Sequence, residues 1–237
     1  MRKQIPNILT LSNLFSGCIA ISMAFQGNFK AVAVWVTIAA LFDFLDGMAA
    51  RLLKAYSPLG KELDSLADVI SFGVAPASAV FILLRDFSFL PDYPEPLHLW
   101  IPYLAFLIPV FSAYRLAKFN IDERQTTSFR GLNAPANGLF WISYCYGMVE
   151  VISTNEYFSY LTLILIILMS LLMISEIPMF SFKIKKLALK GNERQIILIL
   201  LMILLVALLG ISGVAWGIVA YILLSIAGRS KEKSTVK

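Results

Sequence analysis

Eight stretches of this chain stay apolar for about 18 residues or more, at roughly 7–26, 30–52, 62–85, 99–120, 133–153, 157–179, 194–211 and 213–229. About twenty helical residues cross the hydrocarbon of a bilayer. The pattern predicts an all-α fold, a polytopic transmembrane helical bundle of about eight spans. The composition agrees: 59% of residues are hydrophobic and only 15% are charged, where a soluble domain carries about a quarter. The first, third and fifth stretches are interrupted by Asn, Gly, Pro or charge. The last two nearly touch at Gly210–Gly213, which predicts a tight hairpin.

Charge fixes the expected orientation. With both termini cytoplasmic, all but Lys30 and Arg85 of the 20 Lys and Arg fall on the inner side. That asymmetry is the positive-inside signal. The net charge of +5 therefore reflects topology and a basic rim for anionic membrane lipids, not a nucleic-acid partner. Cys18 and Cys145 lie inside apolar stretches with neither disulfide nor metal-ligand spacing.

Residues 1–229 read as a single transmembrane domain. Its polar groups concentrate in 1–135, while 157–229 is a Leu- and Ile-rich scaffold. Residues 230–237 form a charged tail expected to be disordered. Two longer loops stand out: the proline-rich 86–98 outside and the polar 120–132 inside.

Against this apolar background, four aspartates carry the functional signal. Asp43 and Asp46 are three apart, and Asp64 and Asp68 are four apart. Either spacing puts both carboxylates on one helix face. Ser57–Pro58 is a helix start, with Ser as cap and Pro at the first helical position. The second and third spans therefore meet at a short inner turn, which sets one acidic pair opposite the other. At 1.5 Å per residue the pairs lie about 8–15 Å from that turn. Ionisable groups at such depth are by default functional. Four together call for cations, and all-oxygen donors suit Mg²⁺ or Mn²⁺. Two such ions about 3.5–4 Å apart would clamp the attacking and leaving oxygens of a phosphoryl transfer. Gly47, Ala50 and Gly60 continue the acidic faces with small side chains, which leaves room for a ligand or a close helix. Arg51 stands two turns beyond Asp43 and could neutralise phosphate oxygens.

Taken together, Asp43-x-x-Asp46-Gly47-x-x-Ala50-Arg51, eight residues, then Gly60-x-x-x-Asp64-x-x-x-Asp68 resembles the signature of the CDP-alcohol phosphotransferases at every defined position and gap. The stretches 5–13, 71–77, 114–120, 129–136 and 173–183 narrow the resemblance to the membrane-embedded bacterial phosphatidylserine synthases. Asn133 and Glu176 depart from that pattern, where Pro and a basic or neutral residue are expected.

The resemblance implies an enzyme of the bacterial inner membrane with its active site facing the cytoplasm. It would use two divalent cations and move a phosphatidyl group from CDP-diacylglycerol to L-serine, releasing CMP. A homodimer is also implied. Asp43, Asp46, Asp64 and Asp68 resemble the metal ligands, and Asp68 also resembles the base that deprotonates the acceptor. Asn7, Thr10, Gly47, Ala50, Arg51 and Gly60 resemble the positions that contact the CDP-lipid. Asn13, Arg115, Lys118 and Asn120 are the candidates for the acceptor, with Arg115 able to hold a carboxylate by two hydrogen bonds. Glycerol phosphate, inositol phosphate or choline are alternative acceptors. A divalent-cation transporter is the reading outside enzymes; it lacks polar groups across the outer half of the bundle and an internal repeat.

Overall fold

The computed structural model describes residues 4–87, 97–121, 129–179 and 193–234. Within these the chain is almost wholly helical. Helices α1 (Gln4–Phe25) and α2 (Phe29–Leu52) form a tight hairpin. Gly27 turns it with φ 68°, and Asn28 caps α2 by accepting a hydrogen bond from the Ala31 N–H at 3.1 Å. Helix α3 (Pro58–Asp68) begins where the sequence places it, with the Ser57 hydroxyl accepting from the Gly60 N–H at 3.0 Å.

The chain does not leave the helix at Asp68. A π-helical turn (Val69–Val74), helix α4 (Ala75–Ile82) and a second π-helical turn (Leu83–Phe87) carry it on as one span, Pro58–Phe87. Then come α5 (Leu97–Trp100), a 3₁₀ segment (Ile101–Phe106), α6 (Leu107–Ile121), α7 (Ala134–Met148), α8 (Glu156–Ile174), α9 (Glu193–Leu209) and α10 (Ser212–Ser234). Strands β1 (Phe129–Arg130) and β2 (Pro178–Met179) pair antiparallel, Arg130 opposite Pro178.

The span Pro58–Phe87 is the axis of the bundle. In its most apolar window 78% of residues are buried, against 11–33% in the other long apolar helices. Helices α1, α2, α6 and α7 pack around it, and α10 packs on α7. Two glycines let neighbours close on its π-helical turn. A Cβ on Gly138 of α7 would lie 2.9 Å from the Phe72 Cα, and one on Gly17 of α1 would lie 2.9 Å from the Ser71 Cα and collide with the Ser71 hydroxyl. Backbone contact of this kind leaves nothing flexible to yield. Gly17→Val should therefore destabilise the bundle by about 1–3 kcal/mol through overpacking. A fall in the detergent melting temperature checks it; an unchanged one refutes it.

Among the described residues, six helical stretches are long and apolar enough to cross a membrane. The difference from eight has two sources. Helix α7, in the region 133–153, has 15 residues, about 22 Å at 1.5 Å per residue. The run Gln195–Ile226 forms one of the six and contains both α9 and α10, with the expected hairpin at Gly210, φ 61°. Residues 230–234 of the charged tail lie in α10, and 235–237 fall outside the described residues. Most of the loops 86–98 and 120–132 lies outside the described residues.

Candidate active site

The turn between α2 and α3 brings the two acidic pairs face to face. Carboxylate oxygens of Asp43, Asp64 and Asp68 lie within 4.8 Å of one another. Asp46 is not in that group of three. It is 6% exposed, and the Thr10 hydroxyl donates to its Oδ2 at 2.6 Å. Asp68 is equally buried and accepts from Asn13 Nδ2 at 3.3 Å. The Ser71 hydroxyl, in the π-helical turn, donates to the Asn13 carbonyl at 3.0 Å. Helix α1 thus grips one carboxylate of each pair, through side chains one turn apart.

No ion pair closes on the cluster among the described residues, whose ion pairs engage Asp86 and Glu176 instead. Asp64 Oδ1 is buried with no hydrogen-bond donor. Crowded carboxylates with an orphaned oxygen, offering only hard donors, fit a divalent cation of the magnesium or manganese type.

Beside the cluster lies a cavity of about 220 Å³. Asn7, Thr10, Gly47, Ala50 and Gly60 line it together with Asp46 and Asp64. Its glycines have separate uses. A Cβ on Gly47 would meet nothing within 4 Å, so this position faces open space. A Cβ on Gly60 would come 3.1 Å from Asn7 Oδ1, so its absence makes room for that amide. Arg51, in the last turn of α2, is exposed and stands outside the lining. A cavity that offers Asn7, Thr10, Ser57 and Lys61 beside a carboxylate cluster fit for divalent cations has the polar groups that a pyrophosphate needs.

Of the four acceptor candidates, Arg115 and Lys118 share a second, small pocket, Asn13 reaches Asp68, and Asn120 goes elsewhere. Arg115 is 7% exposed and its Nε has no hydrogen-bond partner. Its guanidinium lies within electrostatic reach of Asp68 and Tyr221. Asn120 Nδ2 donates to the Ser65 hydroxyl at 2.8 Å, and its carbonyl accepts from Lys61 Nζ at 2.8 Å. Asn120 therefore latches α6 to α3.

Several lining residues were not singled out from the sequence. Tyr56, Ser57 and Lys61 line the cavity beside the cluster, and Arg130 lines the pocket of Arg115. Ser57 was legible only as a cap, and no local spacing marks the others. Glu176 is the largest surprise. Lys118 Nζ donates to its Oε1 and Arg130 Nη1 to its Oε2, each at 2.6 Å. Lys118 and then Arg130 hold its exposed carboxyl down to about 2. Asn133, the other departure, caps α7 by accepting from the Ala136 N–H at 2.8 Å.

The family model for CDP-alcohol phosphatidyltransferases matches residues 3–224. A CDP-diacylglycerol–serine O-phosphatidyltransferase of Helicobacter pylori (strain 26695) is 34% identical over 205 residues, 82% of this chain and 78% of that protein. The enzyme of the same name from Bacillus subtilis (strain 168) is 32% identical over 136 residues, 57% of this chain and 71% of its own length. An archaetidylserine synthase of Methanothermobacter thermautotrophicus is 34% identical over 133 residues, covering 55% of this chain and 53% of that relative.

Proposed function

The chain belongs to the CDP-alcohol phosphatidyltransferase family, and from that premise we propose that it transfers a phosphatidyl group from CDP-diacylglycerol to the hydroxyl of L-serine. The observation that carries this reading is the cluster of Asp43, Asp64 and Asp68, with no ion pair to it among the described residues, beside a cavity that Asn7, Thr10 and Asp46 help to line. The names of the H. pylori and B. subtilis relatives support serine as acceptor.

In the proposed reaction the serine hydroxyl oxygen attacks the lipid-side phosphorus of CDP-diacylglycerol. A new P–O bond forms, the bond to the CMP phosphate breaks, and CMP leaves with the bridging oxygen. Asp68 takes the hydroxyl proton, since a neutral alcohol is a poor nucleophile near pH 7. Arg115 holds the serine carboxylate. Asn7, Thr10, Gly47, Ala50 and Gly60 cradle the cytidine diphosphate, with Arg51 at the rim. Asp43, Asp46, Asp64 and Asp68 would hold two divalent cations, Mg²⁺ or Mn²⁺, which neutralise charge that builds on the transferred phosphoryl group.

The chain is a multi-pass membrane protein by its apolar helices. We place it in a bacterial inner membrane as a homodimer, with both termini and the carboxylate end of the bundle cytoplasmic. The distribution of Lys and Arg supports that orientation. Residues 1–229 would act as one catalytic unit. Membranes containing the protein, given CDP-diacylglycerol and Mn²⁺, should incorporate labelled serine into lipid with equal release of CMP. Incorporation of a different alcohol in place of serine would overturn the acceptor and leave the family chemistry intact.

A further inference from the structure

We propose that Glu176 sets the charge class of the acceptor: it ties up Lys118 and Arg130, leaves Arg115 as the remaining cation among the described residues of the pocket, and so favours a carboxylate-bearing alcohol over one carrying a phosphate dianion. The inference deepens the acceptor reading above and rests on it.

The pocket gathers three cations from two elements. Arg115 and Lys118 are three apart on α6 and so share a face. Arg130 arrives on β1. All three line the same pocket with Phe119, Met173 and Ser175. Three adjacent cations make a site for phosphate, whose oxygens accept several charge-assisted bonds at once. Glu176 alters that balance. Both of its oxygens are engaged, one by Lys118 and one by Arg130, each at 2.6 Å.

The backbone holds Glu176 in place. It follows the end of α8 and precedes β2, whose partner strand carries Arg130. The Gly131 N–H donates to the Ile177 carbonyl at 2.9 Å, and the Leu132 N–H to the Leu172 carbonyl at 3.1 Å. A phosphorylated alcohol reaching for Lys118 and Arg130 must therefore displace a carboxylate that the fold positions, or bind beside it as a like charge. A single carboxylate needs neither, because the buried Arg115 has an unpartnered Nε, and its charge is felt at Asp68. An acceptor anchored there carries its hydroxyl toward the acidic cluster.

The test uses the purified full-length protein with CDP-diacylglycerol, Mn²⁺ and labelled serine, and adds glycerol 3-phosphate as competitor. Glu176→Gln should lower the inhibition constant of glycerol 3-phosphate against serine by about tenfold or more, competitively, by freeing two cations for the phosphate. Removing one freed cation, in Glu176→Gln/Lys118→Gln, should return the constant toward the wild-type value, a reversal that a merely structural role would not produce. The CDP-diacylglycerol KM should move less than the serine KM. If Glu176→Gln yields no folded protein, Glu176→Asp, which loosens the clasp by one methylene, should give a smaller drop in the same direction. An unchanged inhibition constant, or a drop that the double variant does not reverse, overturns the proposal. If the wild type uses an unphosphorylated alcohol other than serine, the same competition against that alcohol decides the role of Glu176 while the serine reading alone fails. If it transfers to a phosphorylated alcohol, both fall.

Discussion

Asp68→Asn should lower turnover by about 10³-fold while the CDP-lipid still binds. The carboxamide keeps the shape of the side chain and one of its acceptor oxygens. It cannot take a proton from a hydroxyl. Asp68 is 6% exposed, so water does not easily stand in for it. It also sits where a base is needed, in the carboxylate group and within reach of Arg115. Asn13 donates to its Oδ1 at 3.3 Å, which leaves Oδ2 available for the acceptor. Single-turnover CMP release, together with equilibrium binding of CDP-diacylglycerol in Mn²⁺, separates chemistry from affinity. Full activity in this variant would remove Asp68 from the role of base.

Asp64→Asn should raise the Mn²⁺ needed for half-maximal activity by about a hundredfold. Asp64 has the orphaned buried oxygen and shares the cluster with Asp43 and Asp68. Losing its charge removes a ligand but also relieves like-charge crowding. The same substitution should therefore have opposite effects on stability. In chelator the variant should melt above the wild type, because fewer carboxylates repel one another. In saturating Mn²⁺ it should melt below the wild type, because ligand binding stabilises in proportion to affinity. Melting curves with and without Mn²⁺ check the crossover. Equal melting shifts in both proteins would mean that Asp64 is no ligand.

Much of this site was legible because its parts are local in sequence. The spacings within 43–46 and 64–68 are helical, and Ser57–Pro58 marks the start of α3. Those features alone bring the pairs together. The facing of Thr10 to Asp46 depends on how α1 lies against α2, and the sequence shows only that both are apolar. The π-helical turn after Asp68 has no signal in residue pattern, since it arises from packing against Gly17 and Gly138. Glu176 and Lys118 are 58 residues apart, and no local rule pairs them. Arg51 shows the limit of spacing arguments. Helical spacing put it on the acidic stripe, but in the last turn of α2 it is exposed and outside the cavity lining. The number of long apolar helices departs from the expected eight where length alone decides, at the 15 residues of α7.

The bond from Thr10 to Asp46 also bears on how the chain enters its membrane. Helices α1 and α2 are joined by residues 26–28 alone, so both partners of this bond belong to the first hairpin. A carboxylate near the middle of a membrane helix is unfavourable by up to about 3 kcal/mol. A hairpin of α1 and α2 alone would hold a hydroxyl companion for Asp46, and α3 would bring Asp43 the two carboxylates with which it could share a cation.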